Sequence, residues 1–138
     1  MSEQRSERGA VNGVLWLGTQ FLGVGLILFG LPPIVAPRFF ARLAGLPLSG
    51  HPAEVVTIRS VSVRDLVMGI GLISAARHHA RLAPWLLIRT LCEGGDAVAI
   101  AWTFMRGGGN RRLGMLGLIA FGGALYDAAL YVIAKRER

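Results

Sequence analysis

Seven ionisable residues lie inside segments that otherwise have the length and apolarity of membrane-crossing helices, and they constrain the fold more than any other feature. Arg59, Arg64 and Asp65 interrupt the second apolar segment, Arg89, Glu93 and Asp96 the third, and Asp127 the fourth. An ionised side chain at the centre of an inserted helix costs about 2.5–3.5 kcal/mol on the insertion scale, so such residues face a bundle interior and pair there. Several helices must therefore close around one polar interior.

The composition agrees with that reading. The chain is 53% hydrophobic and only 17% charged, with a mean hydropathy of +0.52. A soluble helical domain of this length needs charged faces on its helices. Long stretches here have none. The 19 glycines point the same way, because small residues let membrane helices approach closely. The net charge of +7 does not imply nucleic acid: the basic residues sit in tails and connections, as charges flanking a bilayer do. Among them, Arg111, Arg112, Lys135, Arg136 and Arg138 are placed to meet lipid headgroups. The single cysteine, Cys92, allows no intramolecular disulfide and reads as a small buried hydrophobe.

Along the chain, residues 1–10 are polar and are expected to form a mobile tail. The first span is expected near 11–33. It exceeds the apolar core of a signal peptide, and Pro37 follows Ala36, where cleavage would have to occur. Leu31-Pro32-Pro33 should end this helix, since prolines cannot continue it. Within residues 34–54, Pro37 can open a short helix and Gly45 close it. Phe39, Phe40 and Leu43 then share one side and Arg38 and Arg42 the other, as in a helix lying at the membrane surface. A loop with a hydrophobic plug is the alternative. Further spans are expected near 55–76, 83–105 and 114–134, each with roughly the 20 residues a crossing requires. No strand pattern appears. The expected fold is all-α: a single domain over 1–138, forming a four-helix transmembrane bundle with a short interfacial helix between the first two spans.

An even number of spans puts both termini on one side of the membrane. That side carries Arg5, Arg8, Arg77, Arg81, Lys135, Arg136 and Arg138, seven cations against the five of Arg38, Arg42, Arg106, Arg111 and Arg112. The positive-inside rule then places the termini in the cytoplasm, with the protein in the plasma (inner) membrane.

In the third segment, Arg89, Glu93 and Asp96 fall within roughly 60° of one another at about 100° per residue, so they form one stripe. In the second, Arg59, Arg64 and Asp65 spread around the helix, which should make it the most enclosed. Three arginines against four carboxylates is nearly neutral. Several roles suit this charge network. It can hold the helices in register, handle anions or protons, or perform acid–base chemistry with Glu93 and Asp96. If the role is structural, each of Glu93 and Asp96 should have its own arginine, Arg89 for one and a second-segment arginine for the other.

The fourth segment carries Ala120, Ala124 and Ala128 at four-residue spacing, with Gly122 and Gly123 nearby, a pattern for close helix contact. Trp16, Trp85 and Trp102 fit an aromatic belt. Tyr126 and Tyr131 fit either that belt or a role as donors to the charged cluster. His78 and His79 are adjacent and His51 belongs to the opposite membrane face, so no metal site is expected. There is no phosphate loop, no Ser-His-Asp arrangement and no cysteine metal motif.

The functional expectation is a non-catalytic membrane module that binds a lipid, a small lipophile or a partner helix. The alternatives are a membrane-embedded isomerase or cyclase using Glu93 and Asp96 as acid–base, and a proton-coupled transporter subunit. No cofactor and no nucleic acid are expected. The bilayer, a lipophilic ligand, a membrane protein partner and a second copy of the chain are the candidate partners.

The stretch Ser62-Val63-Arg64-Asp65-Leu66-Val67-Met68-Gly69 resembles the G-[IV]-R-D-L-x-x-G core of a family of small membrane proteins catalogued as domain-of-unknown-function 4267, with Ser62 where glycine is usual. Phe29-Gly30, Gly45-Leu46-Pro47 and Gly95-Asp96 are similar to other parts of that family, and the resemblance covers roughly residues 20–110. It implies four helices, makes Arg64, Asp65 and Asp96 the residues to test, and implies no activity.

Overall fold

Proline and glycine set several of the helix boundaries. The structure, a computed structural model, describes the backbone of residues 2–46, 48–78 and 81–136, and side chains from residue 13 onward. Pro47, His79 and Arg138, which entered the sequence reading, lie outside the described residues. So do the side chains of Arg5 and Arg8. The elements are α1 (Ser2–Val35), α2 (Pro37–Ala44), α3 (Pro52–Arg77), α4 (Leu82–Met105) and α5 (Arg111–Arg136). The described chain is all-helical.

The first helix differs from expectation at both ends. It begins at Ser2 rather than near Val11, so the polar segment is helical and not a separate tail. Glu, Gln and Arg are good helix formers, and they extend a helix that the apolar segment has already nucleated. It also continues through Pro32 and Pro33 to Val35, with the Ala36 N–H donating to the Pro32 carbonyl at 2.8 Å. Two adjacent prolines remove two donors, but their fixed φ is helical, so the final turn keeps its shape.

The short helix α2 forms as expected. Pro37 occupies its first turn and Gly45 closes it at φ 75°, where the Leu46 N–H returns to the Ala41 carbonyl at 2.9 Å. Asn110 then ties α2 to α5. Its amide donates to the Gly45 carbonyl at 2.6 Å, and its Oδ1 accepts the Leu113 N–H at 3.0 Å, capping the start of α5. The start of α3 is also capped: His51 Nδ1 accepts from the Ala53 N–H at 3.2 Å. One turn on, Glu54 accepts from the Ser49 hydroxyl, the Ser49 N–H and the Gly50 N–H at 2.6, 2.8 and 3.1 Å.

The four long helices run up and down in turn. Helix α1 packs along α3, and α4 along α5. These pairs meet through a thinner α3–α4 seam and a contact of α1 with α5, where Tyr126 donates to the Gly18 carbonyl at 3.3 Å. Backbone approach is closest in the α1–α3 pair. A carbon built at Gly69 would lie 2.6 Å from the Gly23 carbonyl oxygen, and one at Gly30 would lie 2.9 Å from that of Ser62. Gly23 and Gly30 are seven residues apart, as are Ser62 and Gly69, so each pair repeats on one helix face.

The core is apolar with charged and polar side chains set into it. Leu15, Leu26, Met68, Leu72, Leu86, Leu113 and Leu130 are buried, but so are Thr19, Ser62, Asp65, Arg89 and Asp127. On the outside, Phe21 of α1, Leu91 and Val98 of α4 and Leu118 of α5 are 76%, 67%, 69% and 72% exposed. Val67 and Ile70 of α3 also face outward. Two helices, over Gly13–Val35 and Arg111–Arg136, are long and apolar enough to cross a membrane.

Candidate functional site

Six of the seven charges singled out from the sequence meet at mid-height of the bundle. Arg64 and Asp65 lie halfway along the 26 residues of α3, and Arg89, Glu93 and Asp96 around the middle of α4, facing Asp127 of α5. The antiparallel α3–α4 pairing brings Arg64 opposite Asp96 and Asp65 opposite Arg89. The antiparallel α4–α5 pairing brings Arg89 opposite Asp127.

The charges alternate along a chain. Asp96 Oδ2 accepts from Arg64 Nη2 at 2.7 Å, and the same nitrogen reaches Asp65 Oδ1 at 3.1 Å. Asp65 Oδ1 is also 3.7 Å from Arg89 Nη1. Arg89 Nη2 pairs with Glu93 one turn along α4, and its Nε lies 3.7 Å from Asp127 Oδ2. The chain thus reads Asp96, Arg64, Asp65, Arg89, then Glu93 and Asp127. Like charges are never consecutive along the main path, so each guanidinium sits between carboxylates.

Exposure falls along this chain. The side chains of Asp96 and Arg64 are 39% and 31% exposed in the α3–α4 seam, whereas Arg89 is buried and Asp127 fully so. The inner end is held by charge more than by hydrogen bonds. Among the described residues Arg89 Nε and Nη1 and both Asp127 oxygens have no hydrogen-bond partner, and 3.7 Å is beyond hydrogen-bonding distance. Thr19 Oγ1, also fully buried, is likewise without one.

Glu93 and Asp96 each have their own arginine, Arg89 and Arg64 respectively. Arg59 is the residue that does not join. Its Nε donates to the Ile34 carbonyl at 3.2 Å, near the C-terminal end of α1. Five residues separate it from Arg64, about 7.5 Å of helix rise, so it sits off mid-height toward the α2 end of the bundle. The long side chain turns toward the end of the bundle and meets a carbonyl that the helix cannot satisfy itself. The expected balance of three cations against four carboxylates becomes two against four.

Other expectations are redirected. Trp85 does not stand in a belt: its ring lies on Gly71 of α3 and packs against the core. Tyr126 donates to α1 rather than to the charged cluster, and Tyr131 packs against the core. Ala120 is buried, Ala124 and Ala128 are half-buried, and Gly123 lies against the Glu93 carboxyl, but Gly122 faces open space. Cys92 is half-buried with a free thiol. Among the described residues no group of His, Cys, Asp or Glu has the arrangement to hold a metal ion. Sequence reasoning overlooked Thr19 and Ser62, which carry no charge to flag them. It also overlooked the Gly23–Gly69 approach, which the seven-residue spacing of Gly23 with Gly30 would have signalled. The chain matches no family model, no curated protein and no solved structure.

Proposed function

We propose that the protein is a four-span integral membrane module without catalytic activity, binding a lipid, a small lipophile or a partner helix, and that its charge chain keeps the helices in register. The observation that carries this reading is a charged interior combined with an apolar exterior. Two arginines and four carboxylates occupy the inside or the seam while Phe21, Leu91, Val98 and Leu118 point out at bundle mid-height. A soluble monomer rarely exposes contiguous apolar surface on this scale. Helices α3 and α4 are assigned as spans on the same ground: both are long enough, and their charges turn toward each other while Val67, Ile70, Leu91 and Val98 turn out.

A structural role for the charges is supported by their pairing. Every charged group of the chain lies within 4.0 Å of an opposite charge, and Glu93 and Asp96 do not share one cation. The resemblance around Arg64 and Asp65 agrees with four helices. The proton-coupled alternative is favoured by one observation, the excess of carboxylates over arginines. The chain ends, however, at the fully buried Asp127, so it links the seam with the interior and not with the opposite face.

Membrane extraction with single-cysteine labelling in a Cys92→Ser background tests the proposal. The protein should resist alkaline carbonate and dissolve only in detergent. Probes at His78 and Lys135 should label from one side, and probes at Ser49 and Gly108 from the other. Recovery in the aqueous fraction, or Ser49 and His78 labelling from the same side, would remove the four-span reading.

A further inference from the structure

A cleft of about 370 Å³ opens at the α2 end of the bundle, away from the charge chain, lined by Ala36, Pro37, Arg38, Phe39, Val55 and Arg59. We propose that it binds the phosphate headgroup of an anionic phospholipid, a proposal that rests on the membrane reading above.

Two guanidinium groups line this space beside apolar walls. Arg59 is held by its Nε on the Ile34 carbonyl, which orients the side chain and leaves the two terminal nitrogens as donors. A guanidinium fork matches two phosphate oxygens at once. Arg38 adds a second positive charge from the first turn of α2, where Ala36 offers no side-chain cap. The first N–H groups of that helix have no acceptor within it and add partial positive charge to the same cleft.

The surroundings select an amphiphile. This end of the bundle carries Arg38, Arg42, Arg59, Arg106, Arg111 and Arg112 against a single acid, Glu54, which is occupied by Ser49 and Gly50. Beside the cleft, Val35 and Val56 are exposed next to the lining residues Ala36 and Val55, and Leu28 is exposed two turns further down α1, apolar surface for acyl chains. A headgroup phosphate therefore meets charge while its chains meet hydrocarbon.

The test uses the full-length protein in nanodiscs of phosphatidylcholine with and without phosphatidylglycerol, followed by native mass spectrometry of retained lipid. Wild type should retain phosphatidylglycerol in preference to phosphatidylcholine. Arg38→Gln combined with Arg59→Gln should reduce that retention about tenfold, the loss expected for charge-assisted hydrogen bonds. Arg106→Gln combined with Arg111→Gln, which removes the same charge outside the cleft, should not. Arg59→Lys keeps the charge without the fork and should give an intermediate loss with an unchanged helical melt, which guards against misfolding of the double variant. Equal retention by wild type and the cleft variant, or an equal loss in the control, would overturn the site. Displacement of the lipid by inorganic phosphate would show free phosphate as the ligand and overturn the lipid assignment. A detergent-extracted protein with no preference for phosphatidylglycerol sinks the cleft alone, whereas a protein recovered without detergent sinks the membrane reading with it.

Discussion

Asp65 Oδ1 is the atom that half-buried Arg64 and buried Arg89 share, 3.1 Å from the first and 3.7 Å from the second. Asp65→Asn should therefore weaken both arginines at once and cost about 2–3 kcal/mol, short of stranding either, because Arg64 keeps Asp96 and Arg89 keeps Glu93 and Asp127. Asp96→Asn and Glu93→Gln each touch one arginine and should cost less, about 1–2 kcal/mol, since Arg64 keeps Asp65, and Arg89 keeps Asp65 and Asp127. Unfolding midpoints in mixed detergent micelles rank the three, and Asp65→Asn as the mildest would contradict the chain as drawn. Glu54 lies in the first turn of α3. Hydrogen bonds from the Ser49 hydroxyl, the Ser49 N–H and the Gly50 N–H hold its carboxyl below the ordinary value of 4.5. A lowered folded-state pKa contributes stability above the unfolded value and loses it as pH falls through the folded one. Acidification should thus release the Ser49 and Gly50 amides to hydrogen exchange before the α1–α3 core. Glu54→Gln should remove that pH dependence.

Glycine acts in opposite ways along these helices, and the α1–α3 pair shows which kind matters. At Gly69 an added carbon meets the Gly23 backbone oxygen at 2.6 Å, and a backbone cannot rotate away as a side chain can. Gly69→Val should separate α1 from α3 and lower thermal stability well beyond the roughly 1 kcal/mol spread of helix propensity. Gly25 and Gly122 have open space around them. Gly25→Ala and Gly122→Ala should leave stability unchanged or raise it by up to about 1 kcal/mol, because alanine has less conformational entropy to lose. Thermal melts of the variants in one detergent compare the two classes. Equal losses in both would mean that the close approach contributes nothing. Of these positions, sequence spacing pointed to α5, whose alanines pack only in part. The closest approach belongs to α1 and α3, because which small residues face each other depends on how the helices cross.

At the scale of the molecule, the two helix pairs are joined through the charge chain and the Trp85–Gly71 contact on one side, and by α1 with α5 on the other. Disrupting the chain should therefore loosen the α3–α4 seam before the α1–α3 or α4–α5 contacts. A spin-label pair across Ile70 and Leu87 should broaden in its distance distribution in Asp65→Asn. A pair across α4 and α5 should stay narrow, and broadening of both pairs alike would place the chain's effect elsewhere. The count of basic residues gives the expectation that both termini lie in the cytoplasm. An impermeant thiol reagent applied to intact cells should then label Ser49→Cys and spare Lys135→Cys, and the reverse pattern would invert the molecule.

The amino-acid sequence by itself determined that the chain is helical and roughly where the four long helices run, because the length of each apolar run is a local property. It left α2 open between helix and loop, and Pro32 and Pro33 did not end α1. It also singled out six charges that meet inside the bundle, since ionised groups within apolar helices need partners, though not Arg59, which stays apart. Tertiary structure alone decided who pairs with whom. Arg59 and Arg64 differ by five positions on one helix and look equivalent in sequence. One reaches a free carbonyl at the end of α1, the other a carboxylate of α4, because depth in the bundle and rotation about the helix axis assign their neighbours. The same holds for Trp85, drawn inward where Gly71 leaves room for its ring, a vacancy on another helix that no local pattern records.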